Sequence, residues 1–232
     1  MSDQTAMKRA AAERALTFVR SGMALGLGSG STAEAMLHAL AAQLSDGRLE
    51  RIVGVPTSER TAQLATQLGI PLTTLDVRPQ LDLALDGADD VDARCDAIKG
   101  LGGALLREKV VAASADRLVL MVDERKLVPQ LGARSPVPVE TIAFALPLVR
   151  RRLESYGALV TLRLAADGAP YRTDEGNAIL DASFGPIGDV AALAAAIAAI
   201  PGVAGHGLFI GMAQAAVVAG ASGVRVLERA HL

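Results

Sequence analysis

The sequence predicts an α/β protein: a doubly wound, mostly parallel, Rossmann-like sheet joined to a second, smaller ferredoxin-like α+β domain. Three observations carry this. Short apolar runs alternate with helix-patterned segments through residues 1–131, the rhythm of a parallel sheet with crossover helices. These runs tend to end in a turn rich in glycine, hydroxyls or acids. After GARSPVPVE (132–140) the order becomes strand, helix, strand, strand, helix, strand, that of a split βαβ unit. The expected division is 1–131 with 208–232 for the larger domain, and 132–207 for the smaller.

MSDQTAMKRAAAERALTFVRSGM (1–23) reads as an amphipathic helix capped near Ser2–Asp3. It lacks the basic-then-apolar pattern of a signal peptide. The segment 23–44 opens as a short strand, turns at Gly26, Gly28 and Gly30, and becomes a helix near Ser31–Thr32. RIVGVPTSERTAQLATQLG (51–69) repeats the pattern with a polar turn at Thr57–Ser58. LDLALDGADD (81–90) is a third strand ending in a turn, GGALLREKVVAASA (102–115) a helix, and RLVLMVDERKLV (117–128) a fourth strand ending in Asp123. The smaller domain reads as strand 137–142, helix 144–156, strands 159–164 and 177–182, helix 189–199 and strand 203–209. Gly176–Asn177 and Pro201–Gly202 are turn signals, and VRVLER (224–229) is expected to return to the first sheet.

Composition removes several function classes. The chain of 232 residues is 51% hydrophobic and 21% charged, with net charge −2, which fits a globular domain and offers no basic nucleic-acid footprint. Aromatics make up 3% and Trp is absent, so base-stacking surfaces are unsupported. The single cysteine, Cys95, excludes an internal disulfide and suits a reducing, cytoplasmic setting. No apolar run of membrane-spanning length is free of Gly and charge.

Three motifs could carry chemistry. In GLGSGSTAEA (26–35) glycines let successive N–H groups converge, the helix start adds its positive end, and Ser29, Ser31 and Thr32 offer hydroxyls; this suits a phosphate. The bland alternative is a tight turn with a hydroxyl cap. It is not a P-loop, and it fits a dinucleotide fingerprint poorly, since Ala33 stands where a third glycine is needed. DLALDGADDVD (82–92) holds five aspartates. Asp caps and Asp-Gly turns are common, yet Asp86 ends an apolar strand and Asp89 lies one helical turn on. Such a pair could share a proton, bind sugar hydroxyls or hold Mg²⁺; Asp90 and Asp92 are expected to be solvated. In KGLGGALLREK (99–109) Lys99 precedes a glycine-rich turn as a mobile cation, and Glu108 follows on the ensuing helix. The bland reading of Glu108 is an exposed salt-bridge face, and of Lys126 a surface lysine. His38 is mid-helix, His206 lies in a glycine turn and His231 is terminal, with no metal-ligand spacing. Acid–base work therefore falls to carboxylates and lysine.

Taken in order, GLGSGSTA, GVPTSERTAQLA, LDGADDVD, KGLGGALLREK, VDERKLV and PVPVE, with GNAILD and IPGVAGHGLF near the end, resemble ribose-5-phosphate isomerase of the A type over nearly the whole chain. The resemblance implies interconversion of D-ribose 5-phosphate and D-ribulose 5-phosphate through a cis-enediol(ate), with no metal or organic cofactor. It implies Glu108 as general base, Asp86 and Asp89 as carboxylates that bind sugar hydroxyls and assist ring opening, and Lys99 as the cation stabilising the enediolate. Substrate binding falls to Ser29, Gly30, Ser31 and Thr32, to Asp86, Gly87, Ala88 and Asp89, to Lys99, Gly100, Leu101 and Gly102, and to Lys126, with Lys8 assisting at the phosphate. The implied partner is a small-molecule sugar phosphate, not a nucleic acid or a membrane, and the implied assembly a homodimer or homotetramer. Two departures stand out: Ser29 replaces an expected Thr, keeping the hydroxyl, and Leu101 occupies a usual glycine, where a side chain resists positive φ. The competing classes are a non-catalytic sugar-phosphate sensor, an amino-sugar deaminase or acyl-CoA transferase, and a nucleotide-dependent oxidoreductase. The single helix before the first strand is too short for a regulator's DNA-binding unit. The lack of a usable His and the Lys99–Glu108 spacing disfavour the second class.

Overall fold

Apolar runs too continuous to alternate between core and solvent must be covered on both faces, and this is how the chain arranges them. The computed structural model describes residues 3–230. In chain order it forms α1 (Asp3–Ala15), β1 (Ala24–Leu27), α2 (Ser31–Ser45), β2 (Val53–Pro56), α3 (Glu59–Gln67), β3 (Leu83–Gly87), β4 (Asp90–Val91), β5 (Ala97–Ile98), α4 (Leu105–Ala113) and β6 (Leu118–Asp123). Then follow β7 (Val137–Thr141), α5 (Leu146–Ser155), β8 (Leu159–Leu162), β9 (Ala178–Ser183), α6 (Val190–Ala198), β10 (Val203–His206), β11 (Leu208–Phe209), β12 (Ala213–Gly220) and β13 (Gly223–Glu228).

The first sheet has the order β13-β12-β6-β3-β1-β2. All its pairings are parallel except that of β13, which closes the edge antiparallel to β12. Met36, Leu37 and Leu40 of α2 cover one face against Leu25, Leu27, Leu83 and Leu85. Val111 and Ala112 of α4 cover the other, against Ala84, Leu118, Leu120 and Val122. The second sheet, β10-β7-β9-β8, is antiparallel throughout, and Val149 and Leu153 of α5 and Ile197 of α6 pack with Val137, Val139 and Leu180. Its connectivity is the βαββαβ order expected. A small third sheet joins β11, β5 and β4.

Several elements differ from expectation. The strand foreseen over 203–209 breaks at Gly207, whose N–H donates to Pro138 O (2.7 Å) and whose carbonyl accepts from Lys99 N–H (2.9 Å). One half joins the second sheet and the other the third. His206 therefore ends a strand and is buried, not held in a loose turn. The helix foreseen over 102–115 starts only at Leu105, because its leading glycines remain in the preceding turn. Strand β12, AQAAVVAG, went unread, since half of it is alanine, a residue without strand preference. VRVLER does reach the first sheet, through β12. Ser2 and His231 lie outside the described residues. Among the described residues no helix is long and apolar enough to cross a membrane.

Candidate active site

The carboxyl ends of β1, β2, β3 and β6 open on a cavity of about 550 Å³. β1 lies between β2 and β3, so chain order reverses there, which is where open parallel sheets take ligands. The turn after β1 passes so close to β3 that a Cβ on Gly28 would collide with the Asp86 carboxylate. Ser29 N–H donates to Asp86 Oδ1 (3.1 Å), while its hydroxyl lies 2.7 Å from Thr57 Oγ1 and 2.8 Å from Ser58 Oγ. That hydroxyl joins the turns after β1 and β2. No side chain caps α2 behind Gly30, so the first-turn N–H groups of Ser31 and Thr32, both in the cavity wall, are left for a ligand. Lys8 Nζ reaches Ser31 Oγ (2.8 Å) beside them.

Asp86 and Asp89 are not related by a helical turn: Asp86 belongs to β3, and Asp89 lies in the turn before β4. Asp86 is 3% exposed. It accepts from Ser29 N–H and, at 2.7 Å, from Gly87 N–H, and pairs with Lys99 Nζ at 2.9 Å. It does not line the cavity, whereas Asp89 does, as do Gly87 and Ala88. Burial raises the Asp86 pKa against the opposing Lys99 charge. Asp90 and Asp92 are buried, not solvated. Pairing of β4 with β5 turns this segment inward; Arg134 and Ser135 N–H hold Asp90, and the N–H groups of Arg94 and Asp96 hold Asp92.

Lys99 is pinned rather than mobile. Its ammonium donates to Gly87 O (2.6 Å) and lies 2.9 Å from Asp86 Oδ2 and 3.2 Å from Glu108 Oε2. Burial alone would lower its pKa, but the Asp86 and Glu108 charges outweigh that and raise it. Glu108, in the first turn of α4, is 6% exposed; it is the neighbouring Arg107 that faces out, to Glu59 and Glu175. Burial, with Asp86 and Asp89 adding to it against Lys99, pushes the Glu108 pKa up to about 8. Apart from that lysine its Oε2 has no hydrogen-bond partner among the described residues. Glu108, Lys99, Gly100, Gly102, Lys126 and Lys8 all line the cavity. Leu101 does not; it is 41% exposed and enters only through its N–H, which donates to Asp89 Oδ2 (2.9 Å). The turn draws its positive φ from Gly100 (+99°) and Gly103 (+90°), so Leu101 is unstrained.

The cavity also contains residues the sequence reading passed over. Ser58 belongs to the polar turn at Thr57–Ser58, Thr61 to the first turn of α3 and Asp123 to the end of β6, and none of the three was expected to have a role. Tyr171 and Asp174 reach the cavity from the β8–β9 connection, and nothing in their local sequence signals it. His206 lies away from the cavity beside Lys109 (3.2 Å). Burial and that lysine press its pKa down to about 3, and burial alone brings Lys109 to about 8. A buried carboxylate with a raised pKa, an adjacent ammonium and a polar anion-seeking rim suit proton transfer on a polyhydroxylated anion.

Residues 53–223 match the sequence profile of the family described as ribose 5-phosphate isomerase A (phosphoriboisomerase A). A ribose-5-phosphate isomerase A from Roseiflexus castenholzii is 62% identical over 226 residues, 97% of each chain. One from Chloroflexus aurantiacus is 52% identical, covering 94% of this chain and 91% of that one. Among solved structures, a D-ribose-5-phosphate isomerase in complex with phospho-erythronic acid superposes with a TM-score of 0.94 at 39% identity, over 97% of this chain and 98% of that one. The ribose 5-phosphate isomerase A of Methanocaldococcus jannaschii gives 0.92 at 38%, over 96% and 98%.

Proposed function

The chain belongs to the ribose 5-phosphate isomerase A family, and from that premise we propose that Glu108 is the general base of the isomerisation and Lys99 its electrostatic partner. The protein interconverts D-ribose 5-phosphate and D-ribulose 5-phosphate, a step of the pentose phosphate pathway. The phosphate sits at the open N-terminus of α2 with Lys8 and Lys126. With the aldehyde form of the sugar bound, the Glu108 carboxylate takes the C2 proton. The C2–H electrons form the C1–C2 double bond and the carbonyl pair moves onto O1, giving a cis-enediolate. The Lys99 ammonium stabilises the new negative charge. Glu108 returns the proton to C1, the double bond re-forms between C2 and O2, and the O2 proton ends on O1. Asp89 binds sugar hydroxyls and assists ring opening, and Asp86, behind Lys99, holds the ammonium in place. Phospho-erythronic acid, bound by one relative, fits this reading, because a planar carboxylate on a phosphorylated polyol carries charge as an enediolate does.

The observation that carries the proposal is the buried Glu108–Lys99 pair, 3.2 Å apart in the cavity wall. The test is a coupled assay of ribose 5-phosphate conversion in EDTA. Wild type should turn over without metal, and Glu108→Gln should lose about 10²–10⁴-fold in kcat with KM little changed. A variant with near-normal turnover removes Glu108 from the role; a folded, inactive wild type would leave only a sugar-phosphate binder. The reading further includes a cytoplasmic location, a dimer or tetramer carried over from the family resemblance, and a division into 1–131 with 208–232 and 132–207. The antiparallel sheet of 137–206 and the interruption of the strand at Gly207 support that division. Light scattering on the purified protein tests the assembly.

A further inference from the structure

Resting on the reading that the Lys99–Gly102 turn serves the reacting end of the substrate, we propose that Arg163, gripped by Asp181, is a positioning residue for that turn. Arg163 directly follows β8, and Asp181 projects from β9. The pair is mostly shielded, with side chains 12% and 21% exposed. Arg163 Nε donates to Asp181 Oδ2 (2.9 Å) and Nη2 donates to Oδ1. With that edge of the planar guanidinium held, the remaining nitrogen has a fixed direction. It donates to two successive carbonyls of the turn, Gly100 O (2.9 Å) and Leu101 O (3.0 Å).

The consequence follows from peptide planarity. In a trans peptide the N–H points opposite to the C=O. The Gly100–Leu101 peptide gives its carbonyl to Arg163 and its N–H to Asp89 Oδ2 (2.9 Å), so it is clamped at both poles. The Leu101–Gly102 peptide gives its carbonyl to Arg163, which turns Gly102 N–H away from the guanidinium. Gly102 lines the cavity, and its N–H meets no acceptor among the described residues. One guanidinium thus sets the backbone that carries Lys99, anchors the Asp89 carboxylate and presents a free donor to substrate oxygens. Tyr171, also from the β8–β9 connection, packs against Gly103 at the far end of the turn.

The test is steady-state kinetics with ribose 5-phosphate on Arg163→Met, Arg163→Lys and Asp181→Asn. Lysine cannot serve the carboxylate and both carbonyls at once, so it should not rescue. Expected is a loss of about 10–100-fold in kcat, the scale of a roughly 1 Å misplacement. KM and competitive inhibition by inorganic phosphate should change little, because the α2 terminus and its lysines are untouched; a merely destabilised fold would lower kcat only in proportion to the unfolded fraction, which circular dichroism on the same samples measures. In a Lys99→Met background, Arg163→Met should bring less than its full single-variant loss, because part of its effect runs through Lys99. Wild-type kcat in folded Arg163→Met overturns the inference, as does full additivity with Lys99→Met. If Arg163→Met does not fold, Asp181→Asn decides by the same criteria. If Lys99→Met itself turns over normally, the reading of the turn fails; if only the Arg163 and Asp181 variants do, the inference fails and that reading stands.

Discussion

At Glu108 the burial that raises the pKa to about 8 has two consequences of opposite sign. For catalysis the base must be ionised, so kcat/KM should climb as pH rises through a value far above that of an ordinary carboxyl, and its pH profile checks this. Lys99 opposes the shift, so Lys99→Met should move the same limb of the residual activity to still higher pH. For stability, a folded-state pKa above the ordinary glutamate value of 4.5 means a contribution fully present below 4.5 and lost as pH rises through about 8. Glu108→Gln has no such titration, so its Tm relative to wild type should increase between pH 5 and 9. A flat difference across that range would show that Glu108 is not buried as an ionisable group. The pairing of Glu108 with Lys99 was not legible locally, because REK on a helix looks like any exposed charged face. Burial separates this glutamate from a surface one, and burial depends on what the turn at 99–103 brings over it.

At the level of elements, the site depends on how closely β1 and β3 approach beyond their paired region. Gly28 carries that approach: a methyl there meets the Asp86 carboxylate and backbone. Gly28→Ala should destabilise the protein by about 1–3 kcal/mol, as overpacking does, and should lower kcat by displacing Asp86 from Lys99. A variant with unchanged urea midpoint and turnover would show that the two turns can part freely. Glycine spacing and the Asp-rich strand end made these two turns legible, since both signals lie within ten residues of chain. The burial of Asp90 and Asp92 was not legible, because β4 is two residues long and only its pairing with β5 turns it inward. β12 was hidden for a related reason: it becomes a strand by lying between β6 and β13, not by its own alanines.

Across the whole molecule, remote segments converge on the loops of the first sheet. Arg134 donates to the carbonyls of Arg125 and Asp89 (2.6 Å for the latter) and to the Asp90 carboxylate, bridging the turns after β3 and β6. Removing it leaves Asp90 with Ser135 N–H (3.1 Å) as the contact shown. Arg134→Met should therefore cost about 1–3 kcal/mol, the range for a buried acceptor losing a partner, read from the denaturant midpoint. The alternation of apolar runs with helices, the βαββαβ order and the placing of polar motifs at strand ends were properties of the sequence alone. They follow from periodicity and turn chemistry, which act over a few residues. The tertiary structure alone decided which carboxylates are buried and which meet the cavity, how Lys99 is pinned, and that Tyr171, Asp174 and Arg163 reach the site. Those outcomes depend on contacts between segments dozens of residues apart, whose desolvation and hydrogen-bond partners exist only once the sheets are assembled.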